Sequence, residues 1–428
     1  MYTEREKIEH SFLQFLHITH APTSAWHTLT LSLHIHIHPR YTLIYNMLSS
    51  LASSRTSVYS RLSRASWSAY SSAAAAVEQA PVPEVDRQLN GVTSTGVRND
   101  WELEEVIELY NTPLMELVYK AATTHRMYFN PKEIQQCTLL SIKTGGCTED
   151  CSYCSQSSKH KTFVKPTPTL TVEDVIENAR KAKAAGSTRF CMGSAWREVG
   201  KKHAFKKVIT MVKEVNSMGM EVCTTLGMLS PEQAKELKAA GVTAYNHNLD
   251  SSREFYGKII TTRSYDERLK TLENVRAAGI SVCCGGIIGM GEEAKDRIGL
   301  LHTLSTLNEH PESVPVNALV AVDGTPLAHR PPVPATDMVR MIATARCLMP
   351  KSMVRLSAGR TKYSTSEQAL MFMAGANSIF TGDKLLTAPN PEFDEDKLMF
   401  KELGLQGKPA HSAPLPSPYF PEEASAQA

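Results

Sequence analysis

From residue 137 onward, short apolar or β-branched runs alternate with amphipathic stretches, one pair roughly every 30 residues. The runs predict strands over 137–142, 189–193, 221–226, 244–250, 281–288, 314–320, 354–358 and 378–381. Between them the apolar spacing changes to a helical period, as in 172–185, 231–240, 265–278 and 292–307. Several of these stretches end in Ala-Gly or Ala-Ala-Gly, the expected left-handed cap. Ahead of them, 101–124 carries Val106, Leu109, Leu114, Leu117 and Val118 at helical spacing, broken near Pro113, which predicts two short N-terminal capping helices. Eight strand-helix units predict an α/β fold, a (β/α)8 TIM-type barrel with its chemistry at the C-terminal strand ends. A doubly wound open sheet is the alternative, but it would put a Gly-rich phosphate loop after the first strand, where this chain has a cysteine loop.

The flanks have a different character. Residues 47–85 are rich in Ser and Ala, carry Arg55, Arg61 and Arg64, and have no acidic residue before Glu78, the composition of a transit peptide or of a plain Ser/Ala linker. Residues 1–46 hold Glu4, Glu6 and Glu9 before a His-rich stretch and do not suit a presequence, which points to Met47 as the start. The alternating His34, His36 and His38 are assigned no role. Residues 86–100 read as a linker, 101–405 as the barrel, and the Pro/Ala/Ser-rich 406–428 as a disordered tail.

Charge narrows the class of partner. With 46 Lys and Arg against 44 Asp and Glu, the formal charge is +2, so no overall basic surface argues for nucleic acid. No apolar run approaches the roughly 18 to 20 residues that span a bilayer, so no membrane is expected. A small-molecule partner is the expectation. The nine cysteines read as reduced and metal-binding rather than as a secreted disulfide scaffold.

Three of them, Cys147, Cys151 and Cys154, lie in a C-x3-C-x2-C loop directly after the first predicted strand. Tetrahedral zinc and a cubane iron-sulfur cluster both normally take four protein ligands, so three thiolates leave a coordination place open for chemistry. The bland readings are a zinc knuckle completed by a distant His, or three buried thiols. On the fourth predicted strand the two-residue period sets Asn246, Asn248 and Asp250 on one face and His247 and Leu249 on the other. Such a polar row is costly to bury unless it binds a ligand or forms a satisfied network. Cys191, Cys223 and Cys283 fall on the second, third and fifth strands. Singly each reads as a buried apolar thiol; inside a closed barrel they can face one centre. The Gly-rich run 285–291 reads more readily as close approach to a ligand than as a nucleotide loop.

The cysteine loop, with Tyr153 beside its last thiol, resembles the motif of the radical S-adenosylmethionine (SAM) superfamily. Tyr-Asn-His-Asn-Leu-Asp (245–250), Arg-Phe-Cys-Met-Gly (189–193), Val-Arg-Leu-Ser-Ala-Gly-Arg (354–360) and Met-Ala-Gly-Ala-Asn-Ser-Ile-Phe (373–380) resemble biotin synthases, in matching order from about residue 101 to 405. The resemblance implies a [4Fe-4S] cluster on Cys147, Cys151 and Cys154 with SAM on its fourth iron. It implies a [2Fe-2S] cluster on Cys191, Cys223, Cys283 and Arg355, the last an unusual ligand whose other reading is a buried ion pair. It further implies SAM contacts at Tyr153, Asn248, Asp250, Arg268 and Ile287, and substrate contacts at Asn246, Asn248 and Asn317. For Arg268 an exposed salt bridge on a helix surface is the other reading.

The activity so implied is conversion of dethiobiotin to biotin: an electron from the first cluster cleaves SAM, a deoxyadenosyl radical takes hydrogen from carbon, and sulfur from the second cluster closes the ring. A ferredoxin- or flavodoxin-type donor, iron-sulfur assembly proteins, a homodimer and the mitochondrial matrix are implied in the same way. The chain departs from the family pattern at Cys284, usually Ser, and at His160, usually Tyr. Cys283 is expected to face the lumen and Cys284 the helical layer. Cys137 and Cys347 match no ligand and are expected to be structural. The rival readings are another radical SAM enzyme and a non-catalytic iron-sulfur protein. Lipoyl synthases carry a further N-terminal cysteine triad, and no cysteine precedes Cys137 here.

Overall fold

The computed structural model describes residues 92–93, 96–200, 202–382, 384–390 and 393–411. The readings of residues 1–46 and 47–85, and of the tail beyond 411, lie outside the described residues.

Eight parallel strands close into a barrel: β1 (Glu133–Lys143), β2 (Arg189–Ser194), β3 (Glu221–Thr225), β4 (Ala244–Asn246), β5 (Ser281–Cys283, resumed at Gly286–Ile288), β6 (Ser313–Ala318), β7 (Met353–Leu356) and β8 (Ser378–Phe380). Pairing runs in chain order and β8 returns to β1, where Ser378 meets Gln135 and Phe380 meets Cys137. Helices α1 (Leu103–Asn111), α2 (Leu114–Tyr128), α3 (Val172–Ala184), α4 (Lys202–Ser217), α5 (Pro231–Ala240), α6 (Tyr265–Ala277), α7 (Ala294–Ser305), α8 (Ala335–Leu348) and α9 (Thr365–Met373) accompany the strands. Their starts are written into the chain. Thr171, Ser230, Ser264 and Ser364 each accept a hydrogen bond from a first-turn N–H within a capping box. The two N-terminal helices break at Pro113, and Arg340 on α8 donates to the carbonyls of Tyr110 and Thr112 at that break, the latter at 2.8 Å. No helix among the described residues is long and apolar enough to cross a membrane.

Most bounds shift by one or two residues from expectation, and three elements differ for a local reason. β1 begins four residues earlier than expected, because its inward positions Gln135 and Glu133 are polar and hid the alternation. β4 stops at Asn246 instead of continuing to 250. Asp250 adopts a left-handed backbone (φ 68°), which Asp tolerates better than most residues. β5 is interrupted at Cys284–Gly285, where Asp250 N–H donates to the Gly285 carbonyl (3.1 Å) and Ile287 N–H to the Asp250 carbonyl (2.8 Å). A Cβ at position 285 would lie 2.0 Å from the Pro315 oxygen, and one at 286 would lie 2.7 Å from the Asp250 oxygen. These glycines therefore make room for neighbouring backbone, a use different from the ligand approach inferred from their spacing.

The barrel also extends past residue 405. Gln406–Gly407 pairs in parallel with Glu133–Ile134, Lys408 N–H donates to the Ile134 carbonyl (2.9 Å), and His411 N–H donates to Glu221 (3.0 Å). The end expected to be disordered thus begins, through 411, as part of the barrel's N-terminal face. At the other flank, linker residue Arg98 lies over the Trp101 ring and Asn99 donates to the Asn308 carbonyl (2.7 Å), so these two belong to the folded unit.

Candidate active site

The C-terminal strand ends surround a cavity of about 350 Å³. Cys147, Cys151, Tyr153 and Cys154 line its mouth, Asn246, Asn248, Asp250, Arg268 and Ile287 one wall, Asn317 another, and Cys191, Cys223 and Arg355 its depth. A second cavity of similar size beside α9, lined in part by the Arg360–Asp396 ion pair, contains no thiol.

The cysteine loop is held by the residues between its thiols. Asp150 accepts from the Thr261 and Thr262 N–H groups (3.0 and 3.2 Å), Glu149 accepts from the Thr262 hydroxyl (2.5 Å) and from Arg197 (3.3 Å), and Ser152 N–H donates to the Ile259 carbonyl (2.9 Å). The 259–263 segment is therefore the loop's clamp. Sequence reasoning missed it; a Glu-Asp pair inside a cysteine motif, opposite a Thr-Thr-Arg run, was the available signal. Burial pushes the Cys151 thiol up to about 12 and that of Cys154 to about 11, so a metal must displace protons to bind here.

Above the wall, Asp250 accepts from the Tyr153 hydroxyl (2.7 Å) and from Arg268 (2.7 Å). Arg268 also donates to the Tyr256 hydroxyl (2.8 Å) and to the Asn248 carbonyl (2.5 Å). Only 5% of Arg268 is exposed, which replaces the reading of an exposed salt bridge on a helix surface. Burial would lower its pKa, but Asp250 and its other neighbours hold it well above the usual range. Tyr153 is pushed well up, by burial first and then by Asp250. Asn246 donates to Asn248 Oδ1 (3.2 Å) and to Cys283 Sγ (3.3 Å), while Asn317 donates to the Gly286 carbonyl (2.9 Å) and accepts from Ala358 N–H (3.1 Å). His247 lines the cavity alongside Asn246 and Asn248, contrary to strict alternation, because β4 has already ended; Leu249 packs in the core as expected.

In the depth of the barrel the register aligns Cys191 with Cys223 on adjacent strands and Asn246 with Cys283 on the next pair. Arg355 is 1% exposed. It donates to Ser378 Oγ (2.9 Å), to Cys137 Sγ (3.3 Å), to Gln135 Oε1 (3.4 Å) and to Cys283 Sγ (3.7 Å), and its guanidinium lies over the Phe380 ring. Cys283 is fully buried beneath the cavity wall, and Cys284 joins the hydrophobic core between barrel and helices. Cys347 is likewise a core residue. Cys137 is different: it packs with Cys191, Cys223 and Ala244 inside the barrel, so a purely structural reading of it no longer suffices. Burial would raise its thiol, but the hydrogen bond with Cys191 and the charges of Arg355 and Arg189 bring it below the ordinary range. Cys191 itself is driven well up by its hydrogen bonds to Cys137 and Cys223. Beneath lies the buried Arg189–Glu221 ion pair (2.7 Å), with Gln135 donating to Glu221 (3.1 Å).

Both donor sets suit iron-sulfur clusters. Among the described residues no three His, Cys, Asp or Glu side chains converge on a single metal ion; a cluster spreads its thiolates over several irons and requires no such convergence. At the mouth, buried Arg263 pairs at 3.9 Å with Glu149 of the cysteine loop, while Nε and one terminal nitrogen have no hydrogen-bond partner.

Residues 141–304 match the model of the radical SAM superfamily, and residues 315–406 match the biotin and thiamin synthesis associated domain. The mitochondrial biotin synthase of Arabidopsis thaliana is 62% identical over 73% of this chain and 83% of its own length. The biotin synthase of Cytophaga hutchinsonii is 63% identical over 73% and 93%, and the mitochondrial biotin synthase of Emericella nidulans 57% over 73% and 80%. Among solved structures, methylornithine synthase superposes with a TM-score of 0.63 at 18% identity, covering 76% of this chain and 97% of its own. The [FeFe]-hydrogenase maturase of Carboxydothermus hydrogenoformans gives 0.63 at 16%, covering 76% and 78%; at such identities the likeness concerns the fold. With relatives this similar over nearly three quarters of its length, and with both family models matched in order along one barrel, the chain belongs to the biotin synthase family of radical SAM enzymes.

Proposed function

We propose that this radical SAM enzyme, acting as a biotin synthase, carries out the conversion of dethiobiotin to biotin within the barrel cavity. The observation that carries the reading is that the cysteine loop and the Cys191, Cys223 and Arg355 set open into one cavity, from opposite ends. When bound, the clusters and SAM supply an electron, a carbon-centred radical that takes hydrogen from dethiobiotin, and the sulfur that closes the ring.

The chain's own residues hold and enclose. Cys147, Cys151 and Cys154 ligate a [4Fe-4S] cluster, and the 259–263 clamp fixes their loop. Cys191, Cys223 and Cys283, with Arg355, hold a [2Fe-2S] cluster. Asp250, kept in place by Tyr153 and Arg268, accepts from hydroxyl groups of SAM, while Asn248 and Ile287 line the same stretch. Asn246 and Asn317 present amides to the polar ring of dethiobiotin. The enclosing strands keep water from the reacting carbon and limit its travel to contact distance. A ferredoxin- or flavodoxin-type donor, iron-sulfur assembly proteins, a homodimer and the mitochondrial matrix complete the reading. The mitochondrial names of the Arabidopsis and Emericella relatives support that location.

The test is an anaerobic assay of the full chain reconstituted with iron and sulfide, given dithionite, SAM and dethiobiotin, and followed by mass spectrometry. Biotin and 5′-deoxyadenosine together are expected. Neither product from protein that carries both clusters would overturn the reading.

A further inference from the structure

The second site contains one donor more than its cluster takes. Two irons joined by bridging sulfides accept four protein ligands, a number already met by Cys191, Cys223, Cys283 and Arg355. Yet Cys137 stands in the same set. Its Sγ receives a hydrogen bond from Arg355 at 3.3 Å, shorter than the 3.7 Å from Arg355 to Cys283, and its side chain packs against Cys191 and Cys223. The barrel topology imposes this. Cys137 on β1 and Arg355 on β7 flank β8, which pairs through Phe380 with the one and through Ser378 with the other. Both side chains point inward over the short Ser378, and Cys137 Sγ lies 3.9 Å from its hydroxyl.

We propose that Cys137 is a fifth donor of the second cluster, a thiolate that takes the fourth iron position whenever Arg355 leaves it. The inference rests on the second-cluster reading above. A guanidine donates to iron only after losing a proton that it normally holds above pH 12, whereas thiolate is the usual ligand of such iron. The two donors are hydrogen-bonded, so the exchange balances internally: the iron-nitrogen bond breaks, an iron-sulfur bond forms, and the Cys137 thiol proton passes to the departing guanidine. No electron moves, and the net charge of the site is unchanged. The guanidinium then remains beside the new thiolate as its counterion, in a place solvent does not reach.

The full chain, its Arg355→Met variant and the Arg355→Met/Cys137→Ala double variant are reconstituted anaerobically. Iron and sulfide content, visible absorption and the EPR signal of the reduced second cluster are then read, none of which depends on turnover. The EPR signal of the cluster on Cys147, Cys151 and Cys154 reports that each protein is folded. Arg355→Met is expected to keep the second cluster with a shifted, four-thiolate spectrum, and the double variant to lose at least about tenfold of it while the first cluster stays. If Cys137→Ala prevents folding, the closer-sized Cys137→Ser in the same Arg355→Met background replaces it. Equal cluster content and equal spectra in the single and double variants would overturn the proposal, as would complete loss of the second cluster from Arg355→Met with the first intact. If the unaltered chain binds the first cluster and never the second, the second-cluster reading fails and the inference with it.

Discussion

The thiols at the cavity mouth and those in its depth are held by opposite means. Cys147, Cys151 and Cys154 come from one short loop, whose shape depends on side chains reaching across to 259–263. Cys191, Cys223 and Cys283 come from separate strands, and the ladder that makes the barrel also sets their spacing. The mouth site can therefore be loosened without unfolding the barrel, while the deep site cannot be moved without changing strand register. The thiols differ in charge as well. Burial is the largest influence on Cys151 and Cys154 and pushes both up, whereas in the depth the hydrogen bonds with Cys191, followed by the charges of Arg189 and Arg355, bring Cys137 and Cys223 below the ordinary range while Cys191 itself is driven up.

The sharpest break in this comparison is Cys154→Ala. It should abolish the first cluster's absorption and reduce biotin and deoxyadenosine to background, while the second cluster's spectrum and the unfolding midpoint of the barrel hardly change. Next is Asp250→Asn, which leaves buried Arg268 without its counter-charge and is expected to cost about 3–5 kcal/mol in chemical denaturation. Were that loss no larger than a surface substitution gives, the Tyr153–Asp250–Arg268 network would have no structural weight. Thr262→Val removes the hydroxyl that Glu149 and Asp150 share, leaving the backbone N–H bond to Asp150, and should weaken first-cluster retention against a chelator by about 10–100-fold, with little effect in the depth. In the lumen, Cys283→Ala should remove the second cluster, because Cys137 stands beside Arg355 and across the barrel from Cys283 and so replaces Arg355 alone, whereas Cys284→Ala should keep it and lose only about 1 kcal/mol of stability from a small core cavity. The smallest effect separates the sites by pH. The raised thiols at the mouth release protons on binding iron, so first-cluster reconstitution should strengthen as pH rises, and a flat response between neutral and alkaline pH would contradict the burial argument.

Much of this was legible in the chain. The strand-helix alternation predicted the barrel because buried parallel strands require apolar runs, and the cysteine spacing marked the mouth because loop ligands are contiguous. What escaped was set by contacts remote in sequence. Thr261 and Thr262 are ordinary residues until the fold places them against Glu149 and Asp150. Gly285 and Gly286 looked like a ligand approach, and only the paths of Pro315 and Asp250 show which backbone they admit. Cys137 was passed over because alternation shows which way a side chain faces on its strand, but not that β8 brings Arg355 alongside it.

The pairing of residues 406–411 with the barrel's N-terminal face carries a consequence for how the enzyme is made. Ribosomes release a chain in order, and the segment that covers Glu133, Ile134 and Glu221 emerges after all eight strands. Until then Ile134 and the ion pair beneath the deep thiols face water. A message truncated just after Phe380 would specify every proposed ligand and still leave that underside bare.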